Sequence, residues 1–107
     1  MTDILNHIDQ GVMTLTFNRV DKKNSITSAM YASLADALEQ AQQNADVRVV
    51  LIQGHETIFS AGNDIADFLN NPPADQNSPV FRFLRNISTF PKPVLAAVAG
   101  PAVGIGT

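Results

Sequence analysis

The chain has 107 residues, a net charge of −3 and no cysteine, which leaves room for one modest domain and excludes disulfides, thiolate metal sites and thiol nucleophiles. Hydrophobic residues make up 45% and charged residues 16% of the chain, which indicates a globular rather than a disordered chain. The negative charge disfavours a broad nucleic-acid surface, and every apolar run is far shorter than the ~20 residues of a membrane-spanning helix. No basic residue precedes Arg19, so we expect no export or transit signal and a cytoplasmic location.

Strands and helices are predicted to alternate along the chain. Apolar residues recur at every second position in the second strand and at three- or four-residue spacing in the helices. The predicted elements are, in chain order, strand Ile4–Ile8, strand Val12–Phe17, a helix capped by Thr27 or Ser28 that runs to about Asn44, strand Val47–Gln53, helix Ile65–Leu69, a helix from Pro79 to about Phe90, and strand Val94–Val98. The last two strands are continuous apolar runs, which predicts burial on both faces. This alternation favours parallel pairing through right-handed crossovers, so the expected fold class is α/β.

The segments between these elements have the composition of loops. Asn18–Ser25 is polar and contains three basic residues, Arg19, Lys22 and Lys23. Asn70–Pro79 contains three prolines and predicts an exposed loop. Neither of the two histidines lies in a metal-ligand pattern, so we predict surface positions for both and no metal site.

Two glycine-containing loops each follow a predicted strand and lead into a helix. They are Phe59–Ile65 and Gly100–Gly106. Ligands of parallel α/β folds bind at the carboxyl ends of strands, and helix N-termini there present unpaired N–H groups that suit a developing negative charge. Two such N–H groups that converge from different loops would form an oxyanion hole.

Taken alone, each loop is more often an ordinary strand-to-helix turn than a functional site. The glycines of the second loop have the spacing G-x-x-x-G-x-G, which differs from a dinucleotide fingerprint. Asp64 stands where it can cap the short helix that follows. Ser25 and Ser60 have no partnering base in the sequence, which disfavours a serine nucleophile.

The two loops together resemble the crotonase (enoyl-CoA hydratase/isomerase) superfamily. The resemblance lies in F-S-A-G-N-D-I at 59–65, G-P-A-V-G-I-G at 100–106, the intervening F-P-K-P-V-L-A-A-V-A-G, and Phe17-Asn18-Arg19 with Asn24-Ser25-Ile26 upstream. It covers residues 1–107, whereas the family's domain continues beyond Thr107. We therefore expect one partial domain, the N-terminal part of a crotonase-like ββα-spiral core.

The resemblance implies a role for each matching position. The backbone N–H groups of Asn63 and Ile105 match the two oxyanion donors that bind the thioester carbonyl of an acyl-CoA. The positions expected to contact the rest of the substrate are Ala61, Asp64 and Ile65 at the adenine-binding edge, Gly62 and Gly104 beside the two donors, and Arg19, Lys22 and Lys23 near the CoA phosphates. These three basic residues are equally well explained as a solvated loop.

The implied chemistry is hydration of a 2-enoyl-CoA or migration of a double bond. Many hydratases have glycine where Ile105 stands, so S-A-G-N-D with G-P-A-V-G-I is closer to the Δ3,Δ2-enoyl-CoA isomerase branch. The family needs no metal or redox cofactor, with coenzyme A present as part of the substrate, and its members form homotrimers or pairs of trimers.

The family's catalytic carboxylates fall after Thr107, so the chain alone is not expected to transfer protons. Two interpretations remain open: a piece of a longer enzyme, or a non-catalytic acyl-CoA-binding or assembly module. A protein that ended at Thr107 is expected to be poorly stable or strongly associating.

Overall fold

The computed structural model describes residues 3–55, 57–70, 78–100 and 102. Within these residues, four strands form one sheet: β1 (Ile4–Asp9), β2 (Val12–Phe17), β3 (Val49–Gln53) and β4 (Val94–Ala97). They lie in the order β1-β2-β3-β4. The β1–β2 pair is an antiparallel hairpin, whereas β2–β3 and β3–β4 are parallel. The alternation of strands and helices therefore predicted both the α/β class and the parallel crossovers.

In the described ranges, three α-helices connect or follow these strands, α1 (Ser28–Gln43), α2 (Ile65–Asn70) and α3 (Pro79–Ser88), and a short 3-10 helix spans Val20–Lys22. Thr27 is the N-cap of α1, since its hydroxyl accepts a hydrogen bond from the N–H of Met30 at 3.2 Å. Helix α3 ends before the predicted Phe90, and the hydroxyls of Ser88 and Thr89 both bond the carbonyl of Arg85. None of the described helices combines the length and apolarity needed to cross a membrane.

The core lies between the sheet and the apolar face of α1. Alternate residues of β2 are buried, and α1 contributes side chains at helical spacing. The largest fully buried side chains of these elements are Met13, Leu15, Met30, Tyr31, Leu34, Leu38 and Val50. Helix α3 packs against α1 and adds Phe83 to the same cluster.

The predicted burial of the last strand is wrong. Leu95 is 59% exposed and Val98, just beyond β4, is 54% exposed. Within the described residues β4 pairs only with β3, so it is an edge strand with an uncovered face. Strand β3 itself is fully buried on one face and half-buried on the other. A continuous apolar run indicates that burial of both faces of a strand would be favourable, but it does not show which element covers each face.

Candidate functional site

The first glycine-containing loop is anchored to the segment that precedes α1. The N–H of Ile26 donates to the carbonyl of Gly62 at 2.8 Å, and the N–H of Asp64 donates to the carbonyl of Ile26 at 2.9 Å. The N–H of Ala61 donates to the carbonyl of Lys23 at 3.0 Å. These bonds hold the loop extended beside residues 23–26.

In this pairing the backbone N–H and C=O groups of Asn63 point away from Ile26. Ile26 uses both of its backbone groups on Gly62 and Asp64, so the N–H of Asn63, lying between them, points to the opposite side. Asn63 is exposed, and no acceptor in the described part of the chain receives its N–H. Gly62 has φ +92°, a left-handed conformation that favours glycine. The loop thus presents one unbonded N–H at the predicted donor position.

Two fully buried polar residues, Asn24 and Ser60, stabilise the loop on its interior side through side-chain hydrogen bonds. The Ser60 hydroxyl donates to the carbonyl of Asn24 at 2.9 Å and accepts from the N–H of Gly62 at 3.1 Å. The Asn24 amide donates to the carbonyl of Ile58 at 3.3 Å and accepts from the N–H of Arg19 at 2.8 Å. Sequence reasoning missed both roles. The pairing of Asn24 with a left-handed backbone, φ 54°, is typical of asparagine but leaves no pattern in the sequence.

Asp64 has two roles at the start of α2. Its Oδ1 accepts from the N–H of Asp67 at 2.8 Å, which confirms the predicted cap. Its Oδ2 lies 2.7 Å from Nη1 of Arg19, which also donates to the hydroxyl of Ser25 at 2.9 Å. The Asp67 N–H and then the Arg19 guanidinium hold the pKa of Asp64 below its usual range. The Arg19 guanidinium therefore stabilises the loop through its bonds to Asp64 and Ser25. Lys22 and Lys23, by contrast, are exposed to solvent.

The lowered pKa of Asp64 predicts that the loop contributes stability which is lost in acid. Because the folded-state pKa lies below the ordinary value of 3.8, the contribution is present above that pH and is lost as pH falls through the folded-state pKa. We expect the Tm of Asp64→Asn to fall less than that of the wild type between pH 5 and pH 2. Thermal denaturation across this range measures it, with Asp46→Asn in the exposed turn before β3 as the control. Equal slopes for Asp64→Asn and the wild type would contradict the assignment.

The second loop begins beside the first. Ser60 and Ala102 form a parallel bridge. Gly100, with φ +78°, packs so closely on the carbonyl of Thr57 that a Cβ there would overlap it. Gly104 and Ile105 lie outside the described residues, so the second expected donor has no described position.

The remaining predicted positions lie around this junction. Ala61 is half-buried, whereas Ile65, at the start of α2, is 75% exposed. An apolar hollow of about 250 Å³ opens between α3, β4 and the carboxyl ends of β2 and β3. Its lining includes Phe17, Ile26, Ile52, Phe59, Phe83, Leu84, Ile87 and Leu95. Ile26 and Phe59 connect this hollow to the loop that carries Asn63.

Comparison with known proteins identifies the family. The model of the enoyl-CoA hydratase/isomerase family matches residues 7–107. The chain therefore belongs to this family, and its fold is the N-terminal part of the crotonase-like core.

Individual relatives show how much of the family's length is present. The chain is 41% identical to the 1,2-epoxyphenylacetyl-CoA isomerase of Escherichia coli, over 99% of this chain and 43% of that protein. It is 36% identical to human enoyl-CoA delta isomerase 2, over 91% of this chain and 26% of that protein. The structure of OdaA from Pseudomonas aeruginosa matches with a TM-score of 0.94 and 52% identity, over 99% of this chain and 43% of that one. The chain spans less than half the length of each of these relatives.

Proposed function

We propose that this chain forms the thioester-binding half of an active site that acts on acyl-CoA. The observation that supports it is the outward N–H of Asn63, which has no acceptor among the residues that the structure describes and lies in a loop bonded to Ile26. Ile105 supplies the second N–H in this proposal. The bridge between Ser60 and Ala102 supports it, because Ile105 follows Ala102 by three residues.

Such a pair of donors suits the formation of an enolate. Removing a proton next to a thioester carbonyl places negative charge on the carbonyl oxygen, which two fixed N–H groups stabilise. Losing one preorganised donor of this kind typically raises a barrier by about 3–4 kcal/mol. Proton transfer itself is assigned to carboxylates beyond residues 1–107, with no metal or redox cofactor.

The rest of the substrate is assigned to residues in and next to this loop. The adenine edge is assigned to the backbone of Ala61, Asp64 and Ile65, with Gly62 and Gly104 allowing close approach beside the donors. Lys22 and Lys23 are assigned to the CoA phosphates because both are exposed. Arg19 contributes indirectly, since its guanidinium is already bonded to Asp64 and Ser25.

Double-bond migration is the reaction we propose, in preference to water addition. A similar human relative is named enoyl-CoA delta isomerase 2, and Ile105 stands where glycine is common in hydratases. The functional unit is proposed to be a cytoplasmic homotrimer or a pair of trimers.

The proposal is tested by comparing thioester with thioether binding. We expect the native protein to bind butyryl-CoA at least ~10-fold more tightly than S-butyl-CoA, which lacks the carbonyl, a difference of about 1.4 kcal/mol. Isothermal titration calorimetry measures both. Equal affinities would contradict carbonyl recognition. On the same preparation, conversion of a 3-enoyl-CoA to its conjugated 2-isomer, followed by absorbance, supports the enzyme; binding without conversion supports the non-catalytic module.

A further inference from the structure

The side chain of Asn63 is bonded to a buried tyrosine, although Asn63 itself lies at the surface. The hydroxyl of Tyr31 donates a hydrogen bond to Oδ1 of Asn63. Tyr31 belongs to α1 and is 2% exposed, whereas Asn63 is exposed in the loop before α2. The bond therefore connects the loop to the interior of the domain.

The Tyr31 ring is held in place by the core. It packs against the ring of Phe83 from α3, with ring centroids 5.6 Å apart and planes inclined by 51°. Burial raises the pKa of the Tyr31 hydroxyl to about 12, so the hydroxyl keeps its proton at neutral and moderately alkaline pH. Asn63 is thus bonded to a fixed, permanently available donor.

Two constraints therefore act on the peptide of Asn63 from different sides. The backbones of Gly62 and Asp64 are bonded to Ile26, which sets the side toward which the Asn63 N–H points. The bond to Tyr31 restrains rotation of residue 63 about its own backbone, since its side chain cannot turn without breaking it. Orientation matters for such a donor because an oxyanion is stabilised most by groups that need no reorganisation.

We propose that Tyr31 is a positioning residue that aims the Asn63 N–H at the thioester carbonyl by holding the Asn63 side-chain amide. This inference rests on the proposed function of the loop. In this role Tyr31 strengthens the hydrogen bond from the Asn63 N–H to the thioester carbonyl, in addition to packing in the core. That role distinguishes it from the other buried residues of α1.

The test uses Tyr31→Phe, which keeps the ring on Phe83 and removes only the hydroxyl. The matched control is Thr16→Val, which removes another hydroxyl–carboxamide hydrogen bond, from Gln53 to Thr16 at 3.0 Å between β2 and β3. The readout is the stretching frequency of a ¹³C-labelled carbonyl in bound butyryl-CoA, measured by infrared difference spectroscopy. A hydrogen bond to a carbonyl oxygen lowers this frequency. Calorimetry on the same samples gives Kd.

We expect the wild type and Thr16→Val to lower the frequency equally. Tyr31→Phe should lose at least half of that lowering while its Kd stays within about tenfold of the wild type. Asn63→Ala should match Tyr31→Phe, and the double variant should lose no more than either single one, because both act on the same bond.

Three results would overturn the inference. A wild-type carbonyl frequency in Tyr31→Phe would remove the positioning role and leave the proposed function standing. An equal loss in Thr16→Val would show a general effect of lost hydrogen bonds. A wild-type protein that leaves the carbonyl at its frequency in water, or does not bind butyryl-CoA, would overturn the proposed function and the role of Tyr31 with it.

Discussion

Gly100→Ala is expected to lower the free energy of unfolding by about 3 kcal/mol or more, the largest effect of any single substitution considered. Two causes add at this position. A residue with φ +78° carries a penalty of about 1–2 kcal/mol for any side chain with a Cβ. The new Cβ would also overlap the carbonyl of Thr57 and lie 2.8 Å from the N of Ile58, both of them backbone atoms that cannot rotate away. Urea unfolding measures the change.

Two other glycines separate these causes. Gly11 has φ +84°, but a Cβ there comes no closer than 3.4 Å to the flexible side chain of Arg48 and 3.7 Å to the carbonyl oxygen of Asp46, which is ordinary contact, so Gly11→Ala reports mainly the backbone penalty. Gly54 has no positive φ, but its Cβ would lie 2.6 Å from the carbonyl oxygen of Phe59, so Gly54→Ala reports the overlap alone. Gly100→Ala should exceed both, and because the new Cβ pushes the two loops apart it should also weaken butyryl-CoA binding. An effect no larger than that of Gly11→Ala would contradict the described contact.

Lys92→Met is expected to lower the free energy of unfolding by about 3 kcal/mol. The ammonium group of Lys92 donates to three carbonyl oxygens, those of Ala41 at 2.6 Å, Asn44 at 2.9 Å and Val47 at 2.7 Å. These carbonyls end α1 and begin the connection to β3, where a positive charge also complements the helix dipole. Hydrogen bonds to a charged group contribute about 1.5–3 kcal/mol each, and water can replace part of the loss at this half-buried site.

The matched control for Lys92 is Arg48→Met, which removes an exposed cation near the same connection. We expect this change to stay within about 0.5 kcal/mol. Chemical unfolding of both variants at low and high salt gives the comparison. A loss that is equal in the two variants, or that disappears at high salt, would show that only net charge matters at this end of α1.

Periodicity predicted most of the secondary structure because it reflects burial of one face. The alternation in Val12–Phe17 and the helical spacing in α1 both match the buried residues of the structure. Local caps were also predictable, since Thr27 and Asp64 act on N–H groups three residues away. The exposure of β4 was not, because it depends on which elements cover that strand.

The internal support of the site could not be predicted, because its partners are distant in the sequence. Arg19 and Asp64 are 45 residues apart, and Tyr31 and Asn63 are 32 apart. Taken alone, each side chain fits a structural role: Arg19 a solvated loop, Asp64 a helix cap and Tyr31 the core. Only the fold brings them to one loop. The resemblance supplied the expected donors, Asn63 and Ile105, but not what orients the first of them.

The most direct test of the central claim is the amide proton shift of Asn63 in a nuclear magnetic resonance titration of the native protein. With butyryl-CoA we expect a large downfield shift of this proton, because its N–H gains the thioester oxygen as an acceptor. With S-butyl-CoA the shift should be small. An Asn63 amide proton that stays in place while butyryl-CoA binds saturably would contradict the role of Asn63 as a donor to the thioester.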